Sequence, residues 1–338
     1  MLTMRLDKEF KKRRKKYYAG MILAGVVGCF LCAGCGKEPE KDKTVNVAYF
    51  PNITHSQALL MKNEGALEEE LGDNVNVKWT SFNAGPDEVT ALFSGDIDIG
   101  YIGPIPAISA NVKSKGDVVV ISGCSDGGMM LLAAPESGIE TVSDLAGKNV
   151  AVPQIGNTQH LVFLDLLAEN NLASADAGGD VTITATANAY ILQLMQNGEI
   201  DAACVPEPWA ETLMKECGAR VICDENEVWS KGSYPVAVVV ARKEFMEENP
   251  DIVEKFLKIH GEMTDYLNRN AKETMNAINE EIEAATDKSI DTDILEASLQ
   301  HITFNRDVNA DTVDAFADIC VREGFTAEGP YEGFLQTE

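Results

Sequence analysis

Asn46-Val47-Ala48 returns as Asn149-Val150-Ala151, and Gly95-Asp96-Ile97-Asp98 returns as Gly198-Glu199-Ile200-Asp201, at one shared offset. Ala107 falls on Ala210 at the same distance, just past a proline-bearing loop in each copy. A common offset across separate matches predicts two units of similar plan. Each would hold a strand, a loop, a helix, a helix ending near glycine, a short strand and another loop. The surrounding sequence fits. Val45 to Phe50, Val75 to Phe82, Ile97 to Ile102 and Val118 to Gly123 are short apolar runs that read as strands. His55 to Asn63, Asp87 to Phe93 and Pro106 to Lys113 carry helical spacing between them. The alternation predicts an α/β protein with mixed, mostly parallel sheets.

Met129 to Ala134 and Val236 to Ala241 bracket the second copy, so they read as two crossing strands that form a hinge between lobes. The expected division is an export segment over 1–34 and a polar tether over 35–44. A discontinuous lobe 1 then takes 45–131 and 238–338, and lobe 2 takes 132–237. Asn249-Pro250 starts a helix, with proline at the first helical position. Phe256, Ile259, His260, Met263, Tyr266 and Leu267 mark one face of it.

The 338-residue chain carries 28 basic against 54 acidic side chains, a formal net charge of -26. Arg5, Lys8, Lys11, Lys12, Arg13, Arg14, Lys15 and Lys16 all crowd the N-terminus. The remainder is strongly acidic, which repels a phosphate backbone and argues against a nucleic-acid partner. Any bound anion must be held by local donors against the overall field. After the basic run come apolar Ala19 to Leu31 and then Ala33-Gly34-Cys35, the order of an export signal. A helix over that apolar stretch rises about 20 Å, short of the roughly 30 Å hydrocarbon core, so a permanent span is disfavoured. The small pair before Cys35 resembles a bacterial lipobox, where the cysteine sulfur is acylated and the chain is cut just before it. Cys32 stands where leucine is usual. Val26-Val27-Gly28-Cys29 also fits, with a shorter apolar core, whereas the polar segment Gly36 to Lys43 directly follows Cys35. The expectation is a lipid anchor on Cys35 at the extracytoplasmic face of the cell membrane. Five cysteines follow: Cys124, Cys204, Cys217, Cys223 and Cys320. Being odd in number they cannot all pair; Cys217 and Cys223 could bridge, and no Cys-x-x-Cys metal spacing occurs.

In open α/β sheets ligands sit beyond the carboxyl ends of the strands. The loops expected there hold neutral donors and no Lys or Arg. Thr54-His55-Ser56-Gln57 fits a capping box opening the first helix. Gly85-Pro86 opens the second, Gly103-Pro104 approaches the third, and Gly156-Asn157-Thr158-Gln159-His160 and Asn188 open two more. Helix N-termini carry free N–H groups and partial positive charge, so they hold anions without a cationic side chain. The candidate ligand-binding residues are therefore Asn52, Thr54, His55, Gly85, Pro86, Gly103, Asn157, Thr158, Gln159, His160 and Asn188. Asn157 and Thr158 equally suit plain helix caps, and the glycines plain turns. Pro206-Glu207-Pro208-Trp209 adds Glu207 and Trp209 on a backbone fixed by two prolines. Trp209 covers an apolar tail or sits in the core. Glu207 would repel an anionic head, so it recognises an amine or braces the hinge through hydrogen bonds.

Phe82-Asn83-Ala84-Gly85-Pro86, Ala91-Leu92-Phe93, Asp98-Ile99-Gly100-Tyr101-Ile102-Gly103-Pro104, Pro153-Gln154-Ile155-Gly156-Asn157-Thr158-Gln159 and Glu207-Pro208-Trp209-Ala210 stand in this order between about Asn46 and Asn305. As an ordered set they resemble the aliphatic sulfonate, taurine and nitrate group of ABC-transporter solute-binding proteins, nearest the aliphatic sulfonate subgroup. His160 departs from that subgroup, which has Asp there. The resemblance implies a two-lobed type II periplasmic-binding-protein fold that closes on a small anionic solute, an aliphatic sulfonate or taurine. It also implies delivery to a separate permease with a cytoplasmic ATPase, and no cofactor. Nitrate or a thiamine-precursor pyrimidine is the alternative solute. The chain has no Gly-x-x-x-x-Gly-Lys-Ser/Thr loop, so it is not itself the ATPase. Two rival readings exist. Gly123-Cys124-Ser125-Asp126-Gly127 matches the Gly-x-Ser-x-Gly elbow of hydrolases, which needs a strand, a turn and then a helix; a strand-like run follows here. A metal receptor would need His55, His160 and Glu207 to converge.

Overall fold

The computed structural model describes residues 43–337; the expected export segment and the two candidate acylation sites, Cys29 and Cys35, lie outside them. In chain order, β1 (Lys43–Tyr49) leads through a 3-10 turn (Ile53–His55) into α1 (Ser56–Asn63) and α2 (Ala66–Leu71). Then come β2 (Val75–Ser81), α3 (Gly85–Ser94), β3 (Ile99–Ile102), α4 (Pro104–Lys113), β4 (Val118–Gly127) and β5 (Met129–Ala133). The second unit holds β6 (Asn149–Val152), α5 (Thr158–Glu169), β7 (Thr182–Ala185), α6 (Asn188–Gln196), β8 (Ala202–Pro206), α7 (Trp209–Cys217) and β9 (Arg220–Cys223). The chain ends with β10 (Pro235–Arg242), α8 (Lys243–Glu248), α9 (Pro250–Thr286), α10 (Thr292–Ser298), β11 (Ile302–Phe304) and α11 (Ala310–Arg322).

Two sheets result, one per lobe. The larger has the order β11-β4-β10-β3-β1-β2 and the smaller β7-β6-β8-β5-β9. Both are mixed, but parallel pairing is confined to β2-β1-β3 and β7-β6-β8. The remaining pairs are antiparallel, so the sheets are less parallel than the alternation of elements suggests. The cause is that the strands entering and leaving each lobe run against its parallel set.

The repeated motif has a physical basis at the entry of each lobe. The backbone N–H of Asn46 donates to Asp98 Oδ2 at 2.9 Å, and that of Asn149 donates to Asp201 Oδ2 at 2.8 Å. The backbone returns the contact in both copies, Asp98 N–H to Asn46 O at 3.0 Å and Asp201 N–H to Asn149 O at 2.8 Å. Gly95 and Gly198, with φ of 77° and 71°, turn the chain from the preceding helix in the left-handed conformation that glycine adopts without strain. The echo is thus a device that registers the first and third strands of each unit.

The crossing between lobes differs from expectation. Met129–Ala133 lies wholly in the smaller sheet, and Pro235–Arg242 wholly in the larger. The chain changes sheet at Gly127-Gly128 and returns through residues 224–234, in both cases earlier in the chain than the expected boundaries. A side chain at Gly127 would run into the His301 carbonyl at 2.6 Å, and φ is positive at both glycines. An apolar run can be a central strand of either lobe, and hydrophobicity alone does not mark where the chain passes between them.

The helix from Pro250 forms, with a break at Asn270, and buries Phe256, Ile259, His260, Met263, Tyr266 and Leu267 as its spacing predicts. That face packs on α1 and closes one side of the larger sheet. α11 lies against both α4 and α5, so the C-terminal helix touches both lobes. Cys217 and Cys223 do not bridge; all five described cysteines are free. Among the described residues no helix is long and apolar enough to cross a membrane.

Candidate functional site

The two lobes face each other across a narrow cleft that is partly open to solvent. Lobe 1 lines it with Phe50, Asn52, Thr54, His55, Asn83, Ala84, Gly85, Gly103 and Pro106; lobe 2 adds Pro153, Asn157, Thr158, Gln159, Asn188 and Pro206, and Val236 of β10 completes it. Five helices begin here: α1 at Ser56 after His55, α3 at Gly85, α4 after Gly103, α5 after Asn157 and α6 at Asn188. No Lys, Arg, Asp or Glu lines the space. The positive charge available to a ligand is therefore that of helix N-termini and amide groups.

The first wall is pinned from behind. Ser125 Oγ donates to the Thr54 carbonyl at 2.7 Å, and Gln57 Nε2 donates to the Cys124 carbonyl at 2.6 Å. The expected capping box is not made. His55 precedes α1 with no side-chain cap, because the 3-10 turn already bonds the His55 N–H to the Asn52 carbonyl. Ser125 sits within β4, so the Gly-x-Ser-x-Gly match is strand rather than elbow, and its hydroxyl proton is committed to Thr54. His55 is buried and stacks on Phe50, with ring centroids 4.6 Å apart. Its Nδ1 accepts the Phe50 N–H at 3.2 Å, and burial pushes its pKa down to about 3. The ring is neutral and carries its proton on Nε2, a donor on the cavity wall.

On the second wall, Asn157 caps α5, its Oδ1 accepting the His160 N–H at 2.8 Å. That bond fixes the amide so that Nδ2 remains as the donor. Thr158 Oγ1 and Asn188 Oδ1 are buried and have no partner. Orphan polar atoms on a cavity wall mark places where a ligand or water completes the bonding. The walls also meet. Trp209 Nε1 donates to Asn52 Oδ1 at 2.9 Å, and Gln154 Nε2 to Asp87 Oδ1 at 3.3 Å, each across the lobe boundary. A Cβ on Gly103 would lie 2.4 Å from Thr158 Oγ1.

Of the expected residues, Asn52, Thr54, His55, Gly85, Gly103, Asn157, Thr158, Gln159 and Asn188 line the space, and Pro86, His160, Glu207 and Trp209 do not. His160 turns back so that Nδ1 accepts the Gly156 N–H at 3.1 Å, and its ring meets Phe325 edge-on. Burial outweighs the nearby acids Glu323 and Asp176 and lowers its pKa to about 4. Trp209 contributes through Asn52, which it orients. Glu207 is fully buried, with Oε2 accepting from Ser298 Oγ at 3.0 Å and from the Glu211 N–H at 3.1 Å. Burial raises its pKa to about 8. It braces α7 against α10, and it lines no shared site with His55 and His160, so the three-residue set that the rival metal reading needs does not assemble. Phe50, Asn83, Ala84, Pro106, Pro153, Pro206 and Val236 also line the space, although the sequence does not single them out as binding residues; Asn83, Ala84 and Pro153 stand only within the motifs that carry the resemblance.

The model of the NMT1-like family matches residues 38–281. Over 217 residues the chain is 30% identical to the taurine-binding periplasmic protein of Escherichia coli (strain K12), covering 64% of this chain and 64% of that relative. It therefore spans a little under two thirds of the relative's length. The alkanesulfonate-binding protein SsuA from Xanthomonas axonopodis pv. citri, solved bound to MOPS, has a TM-score of 0.73 at 20% identity, over 90% of this chain and 100% of that one. The periplasmic aliphatic sulphonate binding protein SsuA from Escherichia coli has a TM-score of 0.69 at 22% identity, over 88% and 91% of the two chains. Likeness at these identities establishes the fold, the two-lobed periplasmic-binding-protein plan.

Proposed function

The chain belongs to the NMT1-like family, and from that premise we propose that it is the solute-binding component of an ABC importer. It captures a small anion between its lobes and delivers it to a permease driven by a cytoplasmic ATPase. The lipid anchor expected on Cys35 keeps it on the extracytoplasmic face, near that permease. The solute is an aliphatic sulfonate or taurine. The taurine-binding relative and the two sulfonate-binding neighbours support this reading.

The observation that carries it is the lining: five helix N-termini and several amide and hydroxyl groups surround a cavity with no charged side chain. A sulfonate is ionised throughout the physiological range, so neutral donors suffice and no counter-ion has to be desolvated with it. The anion enters the open cleft and takes hydrogen bonds from one wall. Closure then brings the other wall's donors to it, and the Asn52–Trp209 and Asp87–Gln154 bonds hold the lobes together. No carboxylate lines the cavity to receive an ammonium group. Ethanesulfonate should therefore bind more tightly than taurine.

Thermal unfolding with ethanesulfonate, taurine, nitrate and a thiamine-precursor pyrimidine tests this. At 100 times the Kd, a true solute stabilises the folded chain by about 2.7 kcal/mol. Stabilisation by ethanesulfonate, exceeding that by taurine, is expected. A shift with nitrate or the pyrimidine and none with either sulfonate would replace the solute and leave the transport role.

A further inference from the structure

Glu207, Glu211 and His301 lie outside the anion cavity, yet one ligand atom from each falls within 4.8 Å of the others. Glu207 is fully buried, and while Oε2 takes two hydrogen bonds, Oε1 is buried without a partner. Glu207 lies just before α7 and Glu211 in its first turn, where the Glu211 N–H donates to Glu207 Oε2 and holds the two side chains together. His301 comes from the segment between α10 and β11. Its Nε2 is 3.4 Å from Glu211 Oε1, and its Nδ1 is 3.1 Å from Glu225 Oε2. Two ligands at about 2.0–2.1 Å from one tetrahedral ion stand about 3.4 Å apart. The Nδ1 contact to Glu225 is the outer carboxylate bond that fixes a metal-ligating imidazole with its Nε2 lone pair free. Among the described residues no Lys or Arg pairs with Glu207, Glu211 or Glu225. Three carboxylates and an imidazole thus face one another with no side-chain cation beside them.

We propose that Glu207, Glu211 and His301 bind a divalent transition-metal ion of the zinc type, with water in the fourth position. One imidazole nitrogen with two carboxylates suits zinc, whereas calcium and magnesium want oxygen throughout. The site flanks the lobe crossing: a Cβ at Gly128 would lie 3.7 Å from Glu207 Cβ, and one at Gly127 3.9 Å from Glu225 Cγ. Glu207 and Glu211 belong to the smaller-sheet lobe, and His301 leads into β11 of the larger sheet. A bound ion would tie the lobes at their crossing, apart from the solute.

The test is calorimetric titration of the chelator-stripped full chain with zinc chloride. A single tight equivalent is expected, with Glu211→Gln and His301→Ala each weakening it at least about a hundredfold. Glu225→Gln, which removes only the outer bond, should weaken it about 10- to 100-fold. Melting temperatures without zinc establish that each variant is folded; if His301→Ala is not, the half-buried Glu211→Gln decides. Absence of zinc binding, or equal binding by the parent and Glu211→Gln, would overturn the site and leave an acid–histidine cluster only. Calcium binding as tightly as zinc would overturn the metal class.

Discussion

A single methyl group at Gly103 would sit 2.4 Å from Thr158 Oγ1 across the cleft, closer than unbonded atoms approach. Gly103→Ala therefore obstructs closure while leaving each lobe's own packing alone. We expect solute affinity to fall at least about tenfold, roughly 1.4 kcal/mol, with the solute-free melting temperature nearly unchanged. Calorimetry with ethanesulfonate beside a melting curve separates the two, and unchanged affinity would mean that the walls part there on binding. Asn157→Asp makes a complementary case. Asp caps a helix as well as Asn does, so the His160 N–H keeps its acceptor and the fold is retained. The new carboxylate, however, stands on the wall where an anion is held. Affinity for ethanesulfonate should fall about a hundredfold or more, and an unchanged Kd removes Asn157 from the site. The sequence made Asn157 and Thr158 legible because a cap at a strand's carboxyl end has few other places to be. It did not distinguish Thr158, whose hydroxyl faces the cavity, from His160 two residues on, whose ring folds back to Gly156. Side-chain direction within one helical turn depends on the loop before it, which carries no periodicity.

At the scale of elements, the echoed motif locates a measurable asymmetry. Asp98 and Asp201 play the same part in the two lobes, but Asp98 also binds Asn46 Nδ2 at 2.9 Å and Arg242 Nη2 at 2.7 Å. Asp201→Ala removes one charge-assisted bond and should cost about 1.5–3 kcal/mol. Asp98→Ala removes two further bonds, one of them to a guanidinium left with Glu244 and the Ile97 carbonyl, and about 3–5 kcal/mol is expected. Urea unfolding of the two variants checks the order, and equal losses would mean that Arg242 finds water when Asp98 is gone. The same motif shows why much of the fold was legible. The strand, helix and turn signals of lobe 1 recur in lobe 2, and each copy corroborates the other. The lobe crossing was not legible for the converse reason. β5 and β10 are continuous apolar runs, fully buried nearly throughout, and such runs look alike in either sheet. Only the paired glycines at 127 and 128, whose positive φ the structure reveals, mark the passage.

For the whole molecule, buried ionisable groups pull stability in opposite directions with pH. Burial holds His55 at about 3, and His160 and His260 at about 4, against roughly 6.5 when unfolded. The stability these rings contribute is present above about pH 6.5. It is lost as pH falls toward 4, because the unfolded chain then binds protons that the folded chain refuses. The limiting slope is about 1.4 kcal/mol per pH unit for each ring. Glu88 acts with the other sign. Its carboxyl is fully buried in α3 against Gly100, neither oxygen has a partner, and burial raises its pKa well above 4.5. Its contribution is complete below about pH 4.5 and is lost as pH rises, since the unfolded chain gives up a proton that the folded chain retains. Glu207, raised to about 8, adds to this in the metal-free protein. Up to about pH 6.5 the three rings outweigh the two carboxyls; above it the carboxyls act alone. Stability should therefore peak near pH 6.5, and the formal charge of -26 at pH 7, which repels itself more as pH rises, acts in the same direction on the alkaline side. Glu88→Gln keeps the shape of the side chain and is neutral at every pH. Urea unfolding at pH 6.5 and 8 should show a shallower alkaline decline for this variant. Equal declines in the two proteins would mean that Glu88 ionises in the folded chain, and that the alkaline limb has its origin in surface charge instead.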